Sequence, residues 1–201
     1  MIRFNKELYS AYLYLDFSLY YQEQGLDGFA NWYMIQTRRN AIMQCCFCSI
    51  CRITGNDITL KQVDKPDKVC SALKDPLEFA LEHERYVTSL IHTIYDAAHE
   101  VKDYRTMQFL DWFVKEQGEE ETNAENMIKK YELFGSDPRA LYMLDGELGA
   151  RVYTARLLYY KIKKKKKVGK AAERGKETSY VQRVLCWREY DTEDETSDPG
   201  D

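Results

Sequence analysis

A run of acidic side chains directly follows an apolar segment in the middle of the chain. On a helix, positions i, i+4 and i+7 share one side, which places Leu110, Val114 and Gln117 on the apolar side. Glu120 and Glu121 continue that side one turn later. Carboxylates in line with an apolar stripe are costly unless a cation or a protonated partner compensates them. Hard cations that prefer oxygen ligands are the simplest compensation, although a Glu-rich turn is also compatible with a solvent-exposed helix face.

Polar side chains interrupt apolar faces on three separate predicted helices. They are Glu7 on the first helix, Glu84 on the third, and Gln117 and Glu120 on the fourth. Taken singly, Glu7 is explained as a first-turn acid favoured by the helix dipole, Glu84 as a surface residue and Gln117 as an internal hydrogen-bonding group. Helix bundles build metal sites from carboxylates that project inward from facing helices. Their occurrence on three helices together therefore favours a metal site.

The composition is typical of a water-soluble helical protein. The 201 residues are 44% hydrophobic and 31% charged, enough for one sizeable domain and an appendage. Residues 1–155 carry 17 basic and 24 acidic residues, a formal charge of −7, which argues against nucleic acid as a partner and is compatible with attracting cations. No run approaches the ~18 apolar residues of a membrane span, and the N-terminus lacks the apolar core of a secretory signal. We therefore expect no membrane association and a cytoplasmic location.

Turn signals divide the chain into five predicted helices. The first covers residues 1–24, with Leu8, Ala11, Tyr12, Leu15, Ser18 and Leu19 along one side. The second begins at about Phe29 and precedes a long connection at residues 53–75. The remaining helices run from Pro76 to about Val101, from 104 to 134, and, after the Asp137 cap, to about Arg151. Four long helices, one long crossover and a short fifth helix predict an all-α, ferritin-like four-helix bundle at residues 1–155.

Several motifs of this domain resemble those of bacterial non-haem ferritins. They are Glu7-Leu8-Tyr9-Ser10, Gly28-Phe29-Ala30-Asn31-Trp32, Leu81-Glu82-His83-Glu84, Asp103-Tyr104, residues 109–117 and residues 144–151. The resemblance spans most of residues 5–155. It implies oxidation of Fe(II) by oxygen or peroxide, followed by storage of ferric mineral inside a homo-oligomeric cage of 24 copies.

The same resemblance implies roles for individual residues. Glu7 and Glu84 would be ligands of a di-iron centre, and Gln117 would lie beside the second iron. An accessory iron position would take three further acids, Glu116, Glu119 and Glu120. Tyr14 matches a tyrosine next to the centre that can supply an electron.

The second helix departs from the family pattern. Ferritins carry Glu-x-x-His there, whereas the matching positions hold Asn40 and Met43, preceded by Arg38-Arg39. A neutral amide and a soft thioether do not replace a carboxylate and an imidazole as ligands for hard iron. Arginine near the bundle acids is costly unless it pairs with Glu84 or Glu116. Such pairing would place guanidinium in the iron site and predicts weak iron binding.

Four of the six cysteines gather in the same stretch. Cys48-x-x-Cys51 has an acceptable spacing for a thiolate zinc or redox site. The adjacent Cys45 and Cys46 would point in different directions on a helix, and no distant pair completes a tetrahedral set.

A one-base shift of the reading frame explains more of this stretch. With permitted codon choices, residues 38–52 become QEERDHAMLFLQYLQ, which restores Glu-x-x-His and a helical apolar period. The same shifted frame permits a stop codon at position 161, and the family resemblance ends after Ala155. We therefore expect residues 156–201 to be a non-native tail without a packed core; a genuine polybasic-then-acidic tail for partner or membrane contact is the alternative. The coding DNA tests the first idea, and limited proteolysis tests the second.

Three functional hypotheses follow. The first is iron storage with ferroxidase activity. The second is a non-catalytic cage subunit that binds or nucleates iron through its remaining carboxylates. The third is a haem-binding relative that uses Met34 or Met43 at a subunit interface.

Overall fold

The computed structural model describes residues 4–53 and 59–153, and these residues form five helices. The helices are α1 Phe4–Glu23, α2 Asp27–Ile53, α3 Asp75–Glu100, α4 Tyr104–Phe134 and α5 Pro138–Gly149. This order confirms the predicted all-α bundle with a long crossover and a short fifth helix. Within the described ranges, no helix is both long enough and apolar enough to span a bilayer. The predicted tail at residues 156–201 lies outside them.

The buried side of α1 agrees only in part with the predicted one, since Ala11 and Ser18 are buried as expected. Leu13, Phe17 and Tyr21 are fully buried, whereas the predicted inner residues Tyr12 and Leu19 are 47% and 49% exposed. Phe17 and Tyr21 remove more apolar surface from water than the small side chains of Ala11 and Ser18, so the packed side is centred on these two rings.

Aromatic rings make the interface between α1 and α2. Tyr21 stacks on Phe29 and Tyr33 with ring centroids 5.0 and 5.7 Å apart, and Phe17 meets Tyr33 edge-on at 5.5 Å. The connecting turn depends on Gly25, whose φ of +74° lies in the left-handed region that side chains disfavour. The short turn and the rings together hold the two helices side by side.

Tyrosine hydroxyls hold the crossover against the first helix pair. Tyr9 donates to the Asp67 carboxylate at 2.7 Å, and Tyr21 donates to the Leu73 carbonyl at 2.6 Å. These contacts lie just before α3 begins. They therefore fix where α3 enters the bundle.

Helix α5 docks on the first turns of α2. Asp145 accepts a hydrogen bond from the Phe29 backbone N–H at 3.0 Å, close to the positive end of the α2 dipole. A Cβ atom at Gly28 would lie 1.7 Å from the Asp145 carbonyl oxygen, so only glycine permits this approach. Asn31 also donates to the carbonyls of Leu148 and Arg151 at 3.2 and 3.0 Å.

Helices α3 and α4 form the second pair. Val87 and Ile91 of α3 pack in one cluster with Leu110 and Phe113 of α4. Asp103 caps α4 by accepting from the Thr106 N–H at 3.2 Å.

Candidate functional site

A small cavity of about 30 Å³ lies among α1, α2, α3 and α4. Its polar lining comprises Glu7, Ser10, Arg39, Asn40, Glu84, Glu116, Gln117 and Glu120, and its apolar lining comprises Met43, Val87 and Phe113. Space of this size holds one or two water molecules or an ion. The structure thus brings together five of the side chains that the sequence singled out, from three separate helices.

Glu84 lies at the centre of the buried polar contacts. Its carboxylate accepts a hydrogen bond from the Tyr14 hydroxyl and another from Gln117 Nε2 at 2.5 Å. Gln117 Nε2 also reaches the Glu84 backbone carbonyl at 3.0 Å. Burial first, and the charge of Glu120 second, raise the pKa of Glu84 to about 7, against the lowering effect of these two donors. Near neutral pH this carboxyl can therefore either hold or release a proton.

Tyr14 is a neutral hydrogen-bond donor inside the bundle. It is 1% exposed, and burial together with the Glu84 charge raises the pKa of its hydroxyl well above the usual value. Its ring lies 5.7 Å from Tyr33 and 6.1 Å from Phe17. The redox-active side chain predicted from the sequence is thus in contact with the predicted ligand Glu84.

Arg39 enters the carboxylate site. Its guanidinium forms an ion pair with Glu120 and lies 3.5 Å from Glu116 Oε2. The expected pairing with Glu116 is present, whereas Glu84 is engaged by Tyr14 and Gln117 instead. Arg38 is exposed, because neighbouring helix positions point about 100° apart.

The acidic run of α4 is divided differently from the prediction. Glu116 is buried and Val114 is 39% exposed, so Val114 does not lie on the inner side. Glu121 is half-buried and accepts a hydrogen bond from Thr88 on α3, away from the cavity lining. Glu119 is half-buried and does not line the cavity either. The inner line of α4 therefore runs through Glu116, Gln117 and Glu120.

Two residues that contact the predicted site residues or line the cavity were not singled out from the sequence. Gln36 Nε2 donates to Glu120 at 2.8 Å, and its position three residues before Arg39 was the available signal. Ser10 lines the cavity and lies 2.7 Å from Nε2 of His83. Burial lowers the pKa of His83 to about 4, so the imidazole is neutral at physiological pH.

Helix α2 contributes an amide and a thioether to the cavity through Asn40 and Met43. Within residues 4–53 and 59–153, no three Asp, Glu, His or Cys side chains form a group that could hold a metal ion. Cys45 and Cys48 are half-buried, whereas the side chains of Cys46 and Cys51 lie outside the described part of the structure. The Cys48-x-x-Cys51 hypothesis is therefore not tested.

The bundle, its crossover and its buried carboxylates define a ferritin-like helical protein. A family model described as ferritin-like domain matches residues 3–134. The chain therefore belongs to the ferritin family.

Individual relatives agree with this assignment. The chain is similar to a probable bacterial non-heme ferritin-like protein of Haemophilus influenzae, with 30% identity over 145 residues, 72% of this chain and 88% of that protein. The bacterial non-heme ferritin of Campylobacter jejuni is 32% identical over 141 residues, 70% of this chain and 84% of the relative.

Solved structures show the same fold. An engineered closed form of the Archaeoglobus fulgidus ferritin has a TM-score of 0.74 and 36% identity, with 76% of this chain and 93% of that chain covered. An open-pore ferritin from the same archaeon has a TM-score of 0.73 and 37% identity, with 75% and 93% covered.

Proposed function

We propose that this chain is an iron-storage subunit with an impaired ferroxidase centre. Fe(II) is its substrate, and ferric mineral is held inside a cage built from many copies of the chain, 24 by family resemblance. The observation that carries the proposal is the cavity whose carboxylates come from α1, α3 and α4. Buried oxygen ligands are the groups that hard cations such as iron prefer.

The acids divide into two sets. Glu7 and Glu84 are the proposed ligands of a di-iron centre, with Gln117 beside its second iron position. Glu116, Glu119 and Glu120 are the proposed acids of an accessory iron position, and Glu119 is the half-buried member of this set that does not line the cavity. Among the described residues no three acidic side chains are grouped closely enough to hold a metal ion, so iron binding requires the lining carboxylates to converge further.

The impairment comes from α2. Asn40 and Met43 line the side of the cavity where the family pattern has a carboxylate and an imidazole. A neutral amide and a thioether are weak ligands for hard iron. Two irons are therefore not held together tightly, and two-electron transfer to oxygen or peroxide is slow.

Tyr14 and Glu84 favour a second candidate, an active ferroxidase. The Tyr14 hydroxyl already donates to the Glu84 carboxylate. When Tyr14 gives up an electron, its proton passes to Glu84, and the neutral pair avoids a buried charge. The electron goes to the oxygen species that is being reduced. This contact would give the subunit a source of one electron, whatever α2 contributes.

Stopped-flow oxidation of anaerobically loaded Fe(II) by oxygen separates the two candidates. We expect slow turnover in the unaltered chain and at least about a tenfold gain, about 1.4 kcal/mol, in R39E/N40E/M43H. Ala41→Glu is the matched control, since it adds a carboxylate on an exposed position of the same helix. Fast oxygen-dependent turnover in the unaltered chain would establish the active ferroxidase instead.

Iron storage itself is tested by loading and sizing. Light scattering and electron microscopy after Fe(II) addition should show cages with an electron-dense ferric core. Isothermal titration should show weak Fe(II) binding, and tight binding of two irons per chain contradicts the impairment. Cages that never hold iron contradict the storage role.

A further inference from the structure

The carboxylates of Glu116 and Glu120 are already paired with a cationic side chain, that of Arg39. Arg39 contacts both Glu120 and Glu116, and the side chains of Arg39, Glu116 and Glu120 are only 17%, 10% and 12% exposed. In such surroundings a guanidinium and a carboxylate attract strongly because little water screens them. The negative charge of Glu116 and Glu120, which an incoming metal ion would neutralise, is thus already neutralised in part by Arg39.

Gln36 supports this arrangement. Its Nε2 donates to Glu120 Oε2 at 2.8 Å, and its Oε1 accepts from Arg39 Nη1 at 3.3 Å and from Arg151 Nη2 at 3.2 Å. A carboxylate only accepts and a guanidinium only donates, so these partners permit one orientation of the amide. Gln36 therefore holds the Arg39 and Glu120 side chains next to each other.

Arg151, two residues after the end of α5, helps to fix the orientation of Gln36. The Arg151 guanidinium lies 3.7 Å from the centre of the Trp32 ring, a close cation–π contact. The Arg151 carbonyl is bound by Asn31 at 3.0 Å. Arg151 is therefore anchored to α2 at two places, through its guanidinium on the Trp32 ring and through its backbone carbonyl at Asn31.

We propose that Arg39 is a tethered counter-ion that competes with divalent cations for Glu116 and Glu120. The proposal rests on the proposed function in that Fe(II) would be the natural competitor. A divalent cation has to displace the guanidinium before both carboxylates can bind it. Gln36 opposes this displacement by bonding to both members of the ion pair. Helix α2 thus weakens metal binding in two ways: Asn40 and Met43 are poor ligands, and Arg39 occupies two of the carboxylates.

Manganese(II) tests the competition without iron redox chemistry. Its binding to the assembled full chain is measured by electron paramagnetic resonance of free Mn²⁺ at fixed ionic strength. We expect Arg39→Gln to bind Mn²⁺ at least about tenfold more tightly than the unaltered chain. Arg38→Gln removes the same charge from an exposed neighbour and should change the affinity less than about twofold. Equal affinities for the two variants overturn the proposal.

Three further variants locate the effect. R39Q/E120Q removes both members of the ion pair and should lose the gain, since the released carboxylate is then absent. Gln36→Met should give a smaller gain than Arg39→Gln, because Arg39 keeps its charge but loses one hydrogen bond. If Arg39→Gln does not assemble, Arg39→Lys retains the charge without the planar fork and should still bind Mn²⁺ more tightly than the unaltered chain. No gain in Arg39→Lys in that case also overturns the proposal.

The manganese result is separable from iron storage. A gain in Mn²⁺ affinity in a chain that never accumulates ferric mineral supports the competition and refutes the storage role. Normal mineral formation with no gain refutes the competition alone.

Discussion

Replacing Glu84 by glutamine should change how stability depends on pH. The pKa of this carboxyl is raised from 4.5 to about 7 in the folded state, so the folded protein binds its proton more tightly than the unfolded chain does. The resulting stabilisation is fully present below pH 4.5 and is lost as the pH rises through 7. A shift of about 2.5 pKa units at 1.36 kcal/mol per unit corresponds to about 3 kcal/mol.

Glu84→Gln abolishes this titration but keeps the shape of the side chain. The new amide would place an NH₂ group against Gln117 Nε2, which costs about 1 kcal/mol at every pH. The variant should therefore be slightly less stable than the unaltered chain at pH 4.5. It should be more stable at pH 8, because the unaltered chain then has to bury a charged carboxylate near Glu120.

The assay is urea unfolding at pH 4.5, 6, 7 and 8, with chelator present and the protein concentration fixed. The quantity compared is the difference in unfolding free energy between variant and unaltered chain, which cancels the titration of all other groups. It should rise by up to about 3 kcal/mol across this range. Glu82→Gln, an exposed neighbour on α3, should give a flat difference. A flat difference for Glu84→Gln as well would refute the argument that burial raises the pKa of Glu84.

Three other substitutions test the packing around the site. Gly28→Ala should destabilise the protein by about 3 kcal/mol in urea unfolding, since its methyl group would displace α5; Gly146→Ala, which meets no atom within 4 Å, should not. His83→Gln should reduce the loss of stability that occurs as the pH is lowered. The pKa of His83 is about 4 in the folded state against the usual 6.5, so its contribution to the unfolding free energy is fully present above pH 6.5 and is lost as the pH falls through 4. Tyr14→Phe should cost about 1–3 kcal/mol by thermal or urea unfolding, most at high pH where its partner carboxylate is charged. The exposed Tyr12→Phe should cost less than about 0.5 kcal/mol, and equal costs for both tyrosines would contradict the assigned contact.

The order and type of the helices could be predicted because their signals are local. Asp137 before Pro138 marks the start of α5 as a capping residue, and the Asp137 carboxylate does accept from the Arg139 N–H. The resemblance in residues 109–117 and the acids on three helices were likewise visible in the sequence. These signals extend over a few residues and do not depend on how the helices meet.

The facing side of each helix was less predictable. Successive residues on a helix differ by about 100°, so a small error in phase exchanges an inner position for an outer one. The prediction placed Val114 inside, whereas Glu116 is buried. It likewise placed Tyr12 on the inner side of α1, where Leu13 and Tyr14 are buried.

The sequence by itself determined the helical architecture, the family and the presence of acids, an amide and a thioether near the bundle centre. Only the tertiary structure decided that Arg39 pairs with Glu120 rather than with Glu84, and that Gln36 joins them. Partners such as Gln36 and Glu120 are 84 residues apart, so no local pattern encodes their contact. Which carboxylate Arg39 pairs with depends on how closely α2 and α4 approach each other and on which carboxylates already accept hydrogen bonds from other donors.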